Sequence, residues 1–370
     1  VATIFFDDEA TLLRVHTWLG KYGTLLIFLH PIFITIGFGE SWLYSLIPNI
    51  SSSYEFNVTL GRIAIYGLLI VWVSSAILRS RMSYRVWRYL HYLSYAIIPF
   101  ALLHIPVGSI YAESAPARLY FWMVAIGFMI FLLLKLRDIL MIDRTKYMVE
   151  NLRQVSEHVY FIEMTPSNPN DYCTPQLGQY VYARLGFLSE SHPFSVALYN
   201  SKTHKLSLAV KVYGRFTRAF AALKTGDFVW LTSPTGVFMR QLDAVNARPA
   251  PVFIAGGIGI VPFIGRIMNR SGPDAQLIYA NQAPMNAVFE HQLASALGDR
   301  MISVYSRSTE QENTAEHGHV TAAVIARHVK NVTQHEYYMC GPAPMMSFVA
   351  GQLHELGVEQ SQIHQEDFTF

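Results

Sequence analysis

Apolar residues crowd the first 140 positions in four long runs, at about 22–38, 58–78, 89–107 and 119–136, and no comparable run follows. Each approaches or reaches the roughly 20 residues that a helix needs to cross hydrocarbon. Four membrane helices followed by a soluble part are therefore predicted. From about 146 to 245 the pattern shifts to short β-rich runs, at 180–185, 194–199, 206–213 and 228–232, punctuated by Gly and Pro. That grammar predicts a small antiparallel barrel. Beyond 250, strand-like runs at 251–255, 276–280, 301–305 and 336–340 alternate with helical stretches such as 262–269. An α/β nucleotide-binding sheet is expected there. The predicted division is 1–140, 141–247 and 248–370.

Charge placement orients the helices. Arg79, Arg81, Arg85 and Arg88 make one connection basic, and Lys135, Arg137, Arg144 and Lys146 mark the exit from the fourth run. Residues 39–57 and 108–117 carry neither Lys nor Arg. Short basic loops stay cytoplasmic, so the soluble part is expected in the cytoplasm, on the inner side of a bacterial plasma membrane. A hydrophobic fraction of 52% with only 15% charged residues agrees with a chain partly in lipid. A net charge of +2 gives no reason to expect a nucleic-acid partner, and no obligatory protein partner is evident. The two cysteines, Cys173 and Cys340, form neither a disulfide framework nor a Cys-x-x-Cys metal pattern. The sequence begins at Val1 without a signal-peptide pattern, so further helices ahead of it are an expectation.

Four histidines stand out against this background. His16 and His30 lie 14 residues apart in one apolar stretch, His91 and His104 lie 13 apart in another, and the next histidine is His158. On helices each spacing is roughly 20 Å along the axis. A lone histidine on an apolar helix is ordinarily a core residue; two pairs at matching spacing predict two b-type haems at two depths, each with two axial imidazoles. The topology pairs His16 with His91 near the inner face and His30 with His104 near the outer face. Filled axial positions favour electron transfer over ligand chemistry. Arg14, Lys21, Arg62 and Arg118 are candidates to neutralise haem propionates, or else snorkel to the interface.

The soluble half carries an ordered motif set: His192-Pro193-Phe194-Ser195, Lys211-x-x-Gly214-x-Phe216-Thr217, Pro234-Thr235-Gly236, Gly256-Gly257-Ile258-Gly259-Ile260-x-Pro262, Cys340-Gly341-Pro342 and Glu366-x-Phe368. Together these resemble the ferredoxin-NADP reductase-like dehydrogenase module, with an antiparallel FAD-binding barrel and an α/β nucleotide-binding domain. Behind bis-histidine helices, the whole resembles the NADPH oxidase and ferric reductase superfamily.

The resemblance implies roles. His192, Pro193, Phe194 and Ser195 match the flavin-binding turn, with the Ser195 hydroxyl near flavin N5, where hydride arrives. Lys211, Gly214 and Thr217 match the stretch that holds the FAD pyrophosphate. Gly256, Gly257, Gly259 and Pro262 belong to the turn and helix that approach the nucleotide pyrophosphate. Cys340, followed by Gly341 and Pro342, matches the small polarizable side chain facing the nicotinamide. Ser306 and Arg307 match the pair that holds a 2′-phosphate, which favours NADPH over NADH. Phe368 matches the aromatic residue stacked on the flavin, with Phe370 its rival.

The implied function is transfer of electrons from cytosolic NADPH through FAD and two haems to an acceptor across the membrane. Dioxygen, giving superoxide, is the first reading; ferric ion or a periplasmic partner protein are the alternatives. Two departures bear on it. Ile34 stands where the oxidases place a histidine one turn beyond the outer ligand, and Ile97 stands at the expected between-haem aromatic, leaving Tyr95, Phe100 or Phe28 to shorten the electron path.

Overall fold

The computed structural model describes residues 9–187, 189–240, 242, 250–268, 275–307 and 315–366, and the chain divides into two compact units, Val1–Leu134 and Lys135–Phe370. Four helices are long and apolar enough to cross a membrane: α1 (Leu12–Phe38), α2 (Ser53–Ile77), α3 (Tyr84–Val107) and α4 (Ala115–Ile139). Local polar groups cap α2 and α3 ahead of their apolar runs. Ser52 accepts from Glu55 N at 3.1 Å ahead of α2, and Ser83 accepts from Val86 N at 3.4 Å ahead of α3. Large side chains such as Leu26, Phe33 and Leu119 stay exposed, and none of the α4 apolar window is buried within the protein. That surface suits lipid.

Small residues bring α2 and α3 together. A Cβ on Gly61 would lie 2.5 Å from the His104 ring, and one on Gly67 would lie 2.8 Å from Ile97. Ala64, Val71 and Ile97 form the buried contact, with Leu68, Phe100 and Ala101 against it. Both α1 and α2 carry one wide π turn, at Leu19–Gly23 and Val73–Ile77. Such turns tilt the side chains that follow relative to a regular helix.

In the second unit, β1 (Thr145–Ser156), β2 (Val159–Pro166), β3 (Tyr180–Arg184), β4 (His192–Tyr199), β5 (Leu206–Lys211) and β6 (Phe228–Leu231) close a barrel in the order β1-β2-β5-β4-β3-β6. The short helix α5 (Arg215–Ala221) lies between β5 and β6. A six-stranded sheet follows, built from β7 (Val252–Gly256), β8 (Gln276–Asn281), β9 (Met301–Tyr305), β10 (Glu316–His317), β11 (Tyr337–Cys340) and β12 (Ile363–Glu366), ordered β10-β9-β8-β7-β11-β12. Helices α6 (Val261–Met268), α7 (Glu290–Leu297), α8 (Ala322–His328) and α9 (Ala343–Glu355) connect its strands. The strand order reverses at β7 and β11, the position where doubly wound sheets open their ligand crevice. One hydrophobic core joins Phe161, Ala197, Phe238 and Met239 of the barrel side to Phe253, Phe263 and Tyr279 of the sheet.

Strand positions match the pattern within a few residues. The sequence pattern marked neither β1 nor β2, whose register shifts between Val149 and Asn151 and between Gln154 and Ser156 spoil the period-two alternation.

Candidate functional site

The fold brings the membrane histidines together in the expected combination. His16 faces His91 with ring centroids 6.1 Å apart, and His30 faces His104 at 6.2 Å, with rings 77° and 73° from parallel. Two imidazoles bonding one metal from opposite sides at about 2.0–2.1 Å put their centroids about 6 Å apart. Both pairs fit that spacing.

On α3 both histidines have a hydrogen-bonding neighbour at Nδ1, as metal-ligating histidines usually do. His104 Nδ1 lies 3.2 Å from the Asn57 carbonyl oxygen, and His91 Nδ1 lies 3.3 Å from Ser75 Oγ. Nε2 is thereby left to bind. Gly61 leaves the space that the His104 ring fills. The Trp87 indole donates to Ser75 Oγ at 3.1 Å and lies against His91 at 5.1 Å. The sequence reading missed Asn57, Ser75 and Trp87; its only signal was a pair of serines interrupting the apolar run at 74 and 75.

The basic candidates separate. Arg62 is buried, pairs with Glu55 at 3.8 Å and lies over the Tyr44 ring, whose hydroxyl donates to Glu55 at 2.9 Å. Arg118 donates to the Tyr111 and Ala112 carbonyls. Lys21 lies over Tyr22, and Arg14 is exposed. Among the residues proposed for the electron path, Phe28 meets Trp72 edge to face at 6.0 Å, Tyr95 stacks on Phe131, and Phe100 packs with Ile97.

In the second unit, β4 opens with His192-Pro193-Phe194-Ser195. Side chains alternate across a strand, so His192 and Phe194 share a face, where both rings lie nearly parallel to Phe216 at 4.2 and 6.3 Å. Ser195 is buried and pairs with Tyr180 of β3. Lys211 is exposed at the end of β5. Gly214 precedes α5, and the Thr217 hydroxyl accepts from Tyr213 N at 2.9 Å and Gly214 N at 3.0 Å. It shapes the turn. Thr235 bridges Tyr180 through two main-chain hydrogen bonds of 2.9 Å.

Just ahead of β4, Asp138 holds Arg144 at 3.0 Å and Arg184 at 3.4 Å, and Arg144 donates to Ser191 Oγ at 3.1 Å. Arg144 is thus an internal clamp rather than the loop charge that its sequence position indicates.

The glycine turn and the Cys340 segment meet at the strand-order reversal. Gly257 adopts φ +55°, a conformation that glycine takes without strain. A Cβ on Gly259 would lie 2.2 Å from the Cys340 carbonyl oxygen, and one on Gly256 would lie 2.4 Å from Met345 Sδ and 2.9 Å from Pro342. Sequence reasoning tied these glycines to a phosphate; backbone packing against 340–342 is a second, independent demand. Cys340 is 2% exposed and pairs with Ala255 and Glu366 across the sheet. Pro262 is buried in α6. Ser306 and Arg307 are exposed beyond β9, with their N–H groups bound to the Asn281 and Gln282 carbonyls at 3.0 and 2.9 Å. Phe368 and Phe370 lie outside the described residues.

Comparison with known proteins adds two family matches. Residues 6–102 match the ferric reductase like transmembrane component, and residues 253–351 match the oxidoreductase NAD-binding domain. The reductase component of propane 2-monooxygenase from Mycolicibacterium smegmatis is 27% identical over 243 residues, covering 62% of this chain and 68% of that protein. Its counterpart from Mycolicibacterium goodii is 29% identical over 207 residues, covering 52% of this chain and 58% of that protein. The flavohem-like FAD/NAD binding domain of nitric oxide dioxygenase from Vibrio cholerae shares the fold, with a TM-score of 0.52 at 22% identity over 60% of this chain and 98% of that one. In one chain, a match to the ferric reductase like transmembrane component precedes a match to the oxidoreductase NAD-binding domain, an order that matches the architecture of the ferric reductase and NADPH oxidase superfamily.

Proposed function

We propose that the protein moves electrons from NADPH, on the cytoplasmic side, to dioxygen on the far side of a bacterial plasma membrane, releasing superoxide. The observation that carries this reading is the pairing of four histidines at two levels, 6.1 and 6.2 Å between ring centroids, in a chain that also holds an NAD-binding domain. When bound, FAD and two b-type haems supply the change from a two-electron donor to one-electron carriers.

The chain's own residues do the holding and positioning. Residues 1–140 bind the haems through His16 with His91 and His30 with His104. Residues 141–247 bind FAD, with Ser195 near the reacting edge, His192 and Phe194 flanking, and Lys211, Gly214 and Thr217 at the pyrophosphate. Residues 248–370 bind NADPH, with Gly256, Gly257, Gly259 and Pro262 at its pyrophosphate, Ser306 and Arg307 at the 2′-phosphate, and Cys340, Gly341 and Pro342 at the nicotinamide. Phe368, which lies outside the described residues, is the aromatic residue assigned to the flavin, with Phe370 the alternative. Hydride transfer at Cys340 needs no covalent bond to sulfur, only the room a small side chain leaves.

The test is a reduced-minus-oxidised spectrum of the purified chain with a pyridine haemochrome count, followed by NADPH oxidation in aerated buffer. Two haems per chain and superoxide-dismutase-sensitive reduction of a dye are expected. A chain without haem would overturn the electron-transfer reading. Slow turnover with oxygen and fast turnover with ferric chelate would move the acceptor to iron.

A further inference from the structure

The inner and outer histidines on α3 are held by different kinds of acceptor, and the difference is built into α2. Near the outer pair, His104 Nδ1 meets the main-chain carbonyl of Asn57. Near the inner pair, His91 Nδ1 meets a side-chain hydroxyl, Ser75 Oγ, which also receives the Trp87 indole N–H. Ser75 sits in the wide turn Val73–Ile77, where Leu78 N bonds back five residues to Val73 O at 3.0 Å. Insertions of this kind recur at functional sites because they re-aim side chains. The Arg79 guanidinium lies 4.8 Å from the Trp87 ring, and the His91 ring lies 5.1 Å from it.

We infer that Ser75 and Trp87 are positioning residues that set the orientation and electron-donating strength of the His91 imidazole, and through it the reduction potential of the inner haem. The inference rests on the haem reading proposed above. Hydrogen bonding at Nδ1 raises the basicity of a ligating imidazole and favours the oxidised metal. A hydroxyl oxygen has two acceptor sites, and the indole N–H polarises the same oxygen that His91 uses. Trp87 therefore weakens the bond that Ser75 offers. The two substitutions should act in opposite directions: Ser75→Ala removes the acceptor and raises the inner potential, whereas Trp87→Phe keeps the ring, removes the competing donor and lowers it.

The experiment is a spectroelectrochemical titration of the full-length, haem-loaded protein, with low-spin haem electron paramagnetic resonance as a second readout. Wild type must first show two haems; if it does not, the electron-transfer reading fails and this inference falls with it, whereas two haems with unshifted potentials would overturn this inference alone. Ser75→Ala should shift one reduction equilibrium by up to about tenfold, which is 59 mV for one electron, and leave the other in place. The resonance of the same haem should shift with it. Ser75→Thr should restore both. Ser74→Ala removes a neighbouring hydroxyl that donates to the Val71 carbonyl, and should move neither. Unshifted potentials in Ser75→Ala would overturn the inference, as would equal shifts in Ser74→Ala or a failure of Ser75→Thr to rescue. Should Ser75→Ala fail to assemble, Trp87→Phe decides: a downward shift of one haem supports the inference, and an upward shift or none overturns it.

Discussion

Arg307 illustrates what a single residue contributes and how it is aimed. Its N–H is bound to the Gln282 carbonyl while its side chain stays exposed, so the backbone is pinned and the guanidinium is free to meet a ligand. On the proposed function, Arg307→Ala should raise the Michaelis constant for NADPH about ten- to hundredfold, because a hydrogen bond to a charged group contributes about 1.5–3 kcal/mol. The constant for NADH should hardly change, since that nucleotide lacks the 2′-phosphate. Parallel steady-state titrations with both nucleotides check this; an equal loss on both would place the 2′-phosphate contact elsewhere. Gly259 is the opposite kind of residue. It serves by having no side chain, and the Cys340 carbonyl imposes that requirement whether or not a ligand is bound.

Among the elements, the α2–α3 contact has the clearest dependence on one position. A methyl group at Gly61 would overlap the His104 ring, and overpacking of this kind costs about 1–3 kcal/mol. Gly61→Ala should therefore displace His104 and lower the haem count from two toward one, read by pyridine haemochrome assay, while the inner site keeps its spectrum. The sheet edge offers a pH dependence. Glu316 of β10 accepts from His328 at 2.7 Å and from Arg327 at 2.6 and 2.7 Å. The His328 hydrogen bond, followed by the Arg327 bonds and charge, holds its carboxyl below the ordinary value of 4.5 despite partial burial. A carboxylate depressed in the folded state stabilises above its unfolded pKa, and that contribution fades as pH falls through the folded value. Thermal melts of wild type and Glu316→Gln should differ most near neutral pH and converge below pH 4.5. A gap that widens in acid would contradict this assignment.

For the molecule as a whole, the proposed function divides the chemistry between the two units, so variants in one should leave the other intact. His30→Leu and His104→Leu should each remove the outer haem only, leaving flavin reduction by NADPH at the wild-type rate in stopped-flow measurements. Both are in the first unit, whereas the motif residues for flavin and nucleotide lie in the second. Retention of two haems in either variant would break the depth pairing. A loss of flavin reduction in both would show that the units do not act separately.

Four membrane helices, the barrel, the α/β sheet and the pairing of His16 with His91 and His30 with His104 were legible in the chain because each rests on periodicity, run length, helical rise or the placement of basic loops. The strands β1 and β2 escaped because their bulges break the alternation that a sequence pattern detects. What only the tertiary structure decided is who serves each functional residue. Ser75 meets His91 across 16 residues, Arg144 and Arg184 converge on Asp138, and Gly259 answers to Cys340 from 81 positions away. Such partners are chosen by packing between elements, and a hydroxyl, a guanidinium or a missing Cβ carries no mark of its distant neighbour until the chain has folded.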